Sequence, residues 1–155
     1  MVGFVFVEKW QRWRQRREFQ YRTMSKLSET STELFVLLAD MLTARATGPV
    51  DLGLLEKQRL YIVKRTAFHA LEADIMASFT RSETMAGYYA LNGKANELFK
   101  LVQSVTAPTP SQYEPVQSEF QKLQKVLFGQ MVSEMKLLTR RERRHLRKDP
   151  TWGIE

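Results

Sequence analysis

The chain has two histidines and no cysteine, so thiol nucleophiles, disulfides and cysteine-ligated zinc are excluded from the start. Glu142-x-x-His145 has the spacing with which di-iron bundles project a carboxylate and an imidazole from one helical face. His69-x-x-Glu72 puts a second such pair three residues apart, but in the reverse order. A di-iron centre needs two pairs in the same orientation and further inward glutamates. The pair at 142 and 145 also lies among Arg140, Arg141, Arg143, Arg144, Arg147 and Lys148, whose charge repels a cation. His145 is therefore expected at the surface and His69 at the edge of the core. Glu72 and Asp74 are two apart and do not face each other on a helix. The chain contains no phosphate-binding glycine loop, nucleophile elbow or His-Glu-x-x-His. The expectation is a protein that is not an enzyme and uses no cofactor, metal or small-molecule substrate.

Binding chemistry is written more strongly. Lys9, Arg12, Arg14, Arg16, Arg17 and Arg22 stand against Glu8 and Glu18, a net of +4 over residues 8–22. Residues 140–148 carry +5. Between them, residues 23–139 balance acid and base, although the whole chain is at +7 with a pI near 9.8. The second cluster suits the C-terminal end of a helix, where cations complement the macrodipole. The first sits at a helix N-terminus, where they oppose it, and interleaves Trp10, Trp13, Phe19 and Tyr21 with the arginines. Plain core packing of Trp10 and Trp13, three apart on one face, is the competing account of the aromatics.

Phe4, Val5, Phe6 and Val7 precede this cluster as an apolar stub. Apolar, then aromatic, then basic is the order in which a chain leaves a bilayer toward the cytoplasm. Residues 1–7 are too few to span a bilayer, which takes about 20, and they lack the parts of a secretory signal. The stub reads as a shallow anchor, the end of a longer membrane segment, or a strap packed on its own domain. The expected function is a helical interaction or assembly protein whose basic, aromatic pole docks on an anionic surface, the cytoplasmic face of a membrane. Its expected place is inside the cell, membrane-associated and not secreted. The expected partners are that surface or a membrane-associated protein assembly. Nucleic acid is the alternative, with arginines on phosphates and aromatics on bases, although no recognition motif is present.

These residues need elements to hold them, and the spacing predicts an all-α antiparallel bundle of about four helices, near 8–46, 52–79, 81–106 and 115–148. At 43% hydrophobic and 26% charged, 155 residues suffice for a single helical domain with a core, followed by a tail at 149–155. Leu27, Leu34, Leu37 or Leu38, Met41 and Ala44 mark the first helix. The polar run 25–32, with Thr30-x-x-Glu33 as a capping box, is a candidate split. Asp51 is the expected N-cap of the second, whose stripe is Leu60, Val63, Ala67, Leu71 and Ile75, widened by Tyr61, Phe68 and Phe79. The third, opened by a capping box at Thr80 and Glu83, carries Tyr88, Leu91, Ala95, Leu98, Val102 and Val105 straight through Asn92-Gly93. The fourth starts with Pro115 and carries Val116, Phe120, Leu123, Leu127, Met131, Met135 and Leu138. If the helices alternate up and down, the two basic clusters share one pole.

Overall fold

In the computed structural model, the backbone is described for residues 2–148, and the side chains for Glu8 and residues 10–135. The side chains of Phe4, Val5, Phe6, Val7, Lys9, Leu138 and the whole 140–148 cluster, and residues 149–155 entirely, lie outside the described residues. Four helices make up the described chain: α1 Val2–Thr47, α2 Leu52–Ser78, α3 Ser82–Val102 and α4 Pro110–Lys148. The all-α antiparallel bundle is the observed fold, and no strand occurs among the described residues.

Local chemistry fixes the ends. Asp51 caps α2, its Oδ1 accepting the Leu54 N–H at 2.7 Å. At α4 the helix begins at Pro110 rather than Pro115. The residues that set it are Thr109 and Gln112, because Gln112 Oε1 accepts the Thr109 N–H at 2.9 Å while the Gln112 N–H returns to Thr109 O at 2.9 Å. Pro110 thus takes the first helical position, where a missing N–H costs nothing, and Pro115 sits inside the helix on an exposed face. At its other end α3 stops at Val102, short of 106, and Val105 is 97% exposed rather than in the core. The helix does run through Asn92-Gly93 as its spacing required.

α1 is not split at 25–32. Glu33 does not fold back on Thr30; it pairs with Lys64 Nζ of α2 at 2.7 Å. Ser31 returns its hydroxyl hydrogen to Ser28 O at 3.1 Å and accepts Gln124 Nε2 of α4 at 2.8 Å. The polar run is where another helix crosses, so its hydroxyls are satisfied without breaking the rod.

Leu27, Leu34, Leu38, Met41 and Leu42 of α1 meet Tyr88, Leu91, Ala95, Leu98 and Val102 of α3, and Phe120, Leu127, Met131 and Met135 of α4, in one core. For α2 the expected stripe is one residue out of phase. Leu60 and Val63 are 46% and 64% exposed and Ala67 is exposed, while Tyr61, Phe68, Leu71, Ile75 and Phe79 are buried. The rings decide the phase: Tyr61 stacks on Phe99 with centroids 4.3 Å apart, and Phe68 on Tyr88 at 5.0 Å. A pair of stacked rings buries more apolar area than the Leu60 and Val63 face offers.

Candidate functional site, a basic and aromatic arm on a polar plug

Cross-links between helices set the chain directions. Glu33 meets Lys64 and Gln20 meets Ser78, so α2 runs back along α1. Ser31 meets Gln124 and Phe35 stacks on Phe120 with centroids 5.3 Å apart, so α4 also runs opposite to α1. The start of α1 and the end of α4 therefore lie at the same end of the bundle. Residues 8–22 and the backbone of 140–148 leave the body on that side, as a shared pole requires.

A buried polar layer closes the body there. Gln20, Thr23, Ser78, Thr84 and Glu134 are buried although polar. Gln20 Nε2 donates to Ser78 O at 2.8 Å. Ser78 gives its hydroxyl hydrogen to Asp74 O at 2.6 Å, so the Thr23 hydroxyl donates to Ser78 Oγ at 3.1 Å. On the other side of the layer Glu134 reaches the α2–α3 turn. Its Oε1 accepts the Thr80 N–H at 2.6 Å and the Thr80 hydroxyl at 3.0 Å, and its Oε2 accepts the Thr84 hydroxyl at 3.3 Å. The expected box of Thr80 with Glu83 is not made. A carboxylate from α4 does that work from outside α3, where a helix N-terminus favours negative charge. Sequence reasoning missed this layer. Its signal was a seven-residue spacing: Trp13, Gln20, Leu27, Leu34 and Met41 on α1, and Phe120, Leu127 and Glu134 on α4, place polar residues at seam positions.

Beyond the layer α1 continues as an arm. Arg12, Arg14, Arg16 and Arg22 are exposed, as are Phe19 and Tyr21, and Trp10 is 52% exposed. Trp13 and Arg17 are half-buried. The Arg14 guanidinium lies 5.6 Å from the Trp10 ring centre and Arg17 lies 5.5 Å from that of Trp13, each four residues along the helix. Arg12 reaches Glu8 at 3.4 Å and Arg22 reaches Glu18 at 3.6 Å, both exposed pairs worth little. Trp13, Arg14, Arg17, Glu18 and Tyr21 line a groove of about 480 Å³ along one face of the arm. The indole Nε1 of Trp13 is shielded from solvent and has no hydrogen-bond acceptor. Trp10 is thus a surface residue, which removes plain core packing as its account.

No group of His, Cys, Asp or Glu able to hold a metal occurs among the described residues. Glu72 of the His69 pair accepts the Tyr89 hydroxyl at 2.6 Å instead. Among the described residues no helix is long and apolar enough to cross a membrane. On the body, α2 is apolar on its outer face too: Leu52, Leu55, Ile62, Val63 and Met76 are all exposed. The chain matches no known protein family, curated protein or solved structure.

Proposed function

We propose that this protein is a non-enzymatic helical-bundle interaction or assembly protein that docks through its basic, aromatic arm on an anionic surface, the cytoplasmic face of a membrane. The observation that carries this reading is the arm itself. α1 continues as helix to Val2, well past the polar layer at Gln20, with Arg12, Arg14, Arg16 and Trp10 turned to solvent. At 1.5 Å per residue, Val2 to Val7 rises about 7.5 Å, which matches the 5–10 Å depth of a shallow interfacial anchor. Trp10 and Trp13 then fall about 5–9 Å further along, within the headgroup layer. Arg12, Arg14 and Arg16 follow about 7–14 Å along, from the level of the tryptophans outward, each supplying about 1 kcal/mol of attraction to anionic lipid. The outer face of α2 remains free to meet a membrane-associated protein partner, and its exposed apolar side chains support the assembly half of the reading.

The exposed Trp10, Phe19 and Tyr21 also favour nucleic acid, since bases stack on such rings. The membrane reading is preferred because Arg14 and Arg17 already cover faces of Trp10 and Trp13, and because the apolar turns before Trp10 have no role on a phosphate backbone. Co-sedimentation with vesicles tests the choice. Binding to phosphatidylcholine vesicles containing phosphatidylserine at low salt, weakened by salt and absent with phosphatidylcholine alone, is the expected result. Absence of sedimentation at low salt, with a gel shift of RNA or DNA at about 50 mM salt, would transfer the reading to nucleic acid.

A further inference from the structure

α2 turns one apolar side to the core and a second to solvent, and the second has an order of its own. Leu55, Arg59, Ile62, Thr66, Ala70, Ala73 and Ala77 are all exposed. Their spacings are four, three, four, four, three and four, the same read from either end, so they form one continuous stripe centred on Thr66. On its N-terminal side the apolar members are large, Leu55 and Ile62 with Val63 beside them, and on its C-terminal side they are alanines. Charge divides at the same point: residues 52–65 carry a net +3 and residues 66–78 a net −2. Thr66 gives its hydroxyl hydrogen to Ile62 O at 3.0 Å, so it can meet an apolar neighbour with its methyl group and leave no donor stranded.

We propose that this face pairs with the same face of a second copy of the chain, α2 running antiparallel to α2 about a two-fold axis at Thr66. Across such an axis each contact occurs twice. Leu55 lies opposite the copy's Ala77, Arg59 opposite its Ala73 and Ile62 opposite its Ala70, so every layer off the axis sets a large side chain against a small one, as interdigitating helices require. The positive half of each helix runs along the negative half of the other, whereas a parallel pair would set like charge against like. Lys57 and Lys64 are already turned to Asp40 and Glu33 of α1, and Arg59, exposed on the stripe, is the cation that reaches across Ala73 to the copy's Asp74. A face 27 residues long and about 10 Å wide covers about 400 Å² on each partner, less than a permanent interface, so the pair is reversible and is strengthened when two copies share one membrane surface. The inference rests on the assembly half of the reading above and names its partner; it does not require the arm to dock.

Sedimentation velocity on the whole chain, from about 5 to about 500 μM, should show a monomer passing to a dimer as concentration rises. Ala70→Arg, an exposed change that leaves the core alone, sets bulk and like charge against Ile62 and the positive half of the copy, and should weaken association about tenfold or more with the thermal melt unchanged. Because the chain has no cysteine, single cysteines read the register. Thr66→Cys stands at the axis against its own counterpart and should give a disulfide-linked dimer on oxidation. Ala73→Cys lies about 21 Å from its counterpart and should not, since a disulfide spans less than about 7 Å between Cα atoms. A monomer at every concentration, linkage at 73 instead of 66, or equal linkage at both overturns the pairing. The same samples are sedimented with phosphatidylcholine vesicles containing phosphatidylserine. A monomer that still sediments overturns the pairing and leaves docking standing, and if Ile62→Ser abolishes that sedimentation, the face lies on the bilayer and not on a second copy. A chain that links through residue 66 but does not sediment keeps the pairing and overturns docking.

Discussion

Replacing Glu134 with Ala is the sharpest test of the polar layer, since one carboxylate serves three donors on another pair of elements. The variant leaves the Thr84 hydroxyl, fully buried, without its acceptor, and a buried polar group in that state costs about 1–3 kcal/mol. The Thr80 N–H and hydroxyl also lose their acceptor, but Thr80 is exposed and water replaces part of the loss, leaving about 1 kcal/mol. Removing a charge near the first turn of α3 adds about 0.5 kcal/mol. The total is about 3 kcal/mol, which for a chain of this length lowers Tm by about 6–12 °C. Glu134→Gln keeps the shape and one acceptor oxygen, and should lose about half as much. Urea unfolding followed by circular dichroism measures both, and a cycle with Thr84→Val isolates the pair. A loss below about 0.5 kcal/mol for Ala, or a Gln variant weaker than Ala, would refute the assignment of Glu134 as the carboxylate that closes this end of the core.

The arm arginines are separable from the fold: Arg12→Gln, Arg14→Gln and Arg16→Gln together should weaken binding to phosphatidylserine vesicles about 150-fold, at about 1 kcal/mol each, with the unfolding curve unchanged. Burial pushes the Tyr61 and Tyr88 hydroxyls up to about 12 from an ordinary value of 10, the Arg65 charge opposing the shift at Tyr61 and the Glu72 charge adding to it at Tyr88. The neutral phenols are what the core holds, so stability should be intact below pH 10 and fall as pH rises toward 12, with tyrosinate absorbance tracking the loss. Gly93→Ala should stabilise by about 1 kcal/mol, because a Cβ there meets nothing within 4 Å in mid-helix. Gly87→Ala should gain less or destabilise in the same thermal melt, since its Cβ meets Gln130 Oε1 at 3.0 Å and Leu127 Cδ1 at 3.2 Å where α3 and α4 close together.

Legibility in the sequence followed the physics of each element. α3 was readable residue by residue from Tyr88 to Val102, because apolar residues occupy one face and polar ones the other. α2 was readable as a helix but not in phase, since Leu60 and Val63 on one side and Tyr61 and Phe68 on the other make two plausible stripes. Only the partners Phe99 and Tyr88, distant in sequence, choose between them. For the start of α4, Pro110 and Pro115 satisfy the same first-position rule in the sequence, and the Thr109 and Gln112 box decides for Pro110. At the candidate site, the arginines and tryptophans were visible from composition and spacing. The stacking of Arg14 and Arg17, the stranded indole N–H and the carboxylate of Glu134 at the turn were not, because each depends on where a rotamer or a second helix lies.

The absence of a break in α1 makes that helix a lever. One rod runs from the arm through the polar layer to Arg45, whose guanidinium is fastened to Ser104 O at 3.1 Å and Val105 O at 2.9 Å at the far end of the bundle. From Trp10 to Thr47 the rise is about 55 Å, so a 10° change in the heading of the arm sweeps the far loop through about 10 Å. A hinge at residues 25–32 would have absorbed that rotation; the hydroxyls bonded to Gln124 there keep the rod whole. Whatever grips the arm therefore sets the bearing of the entire body, and with it the direction in which the outer face of α2 points.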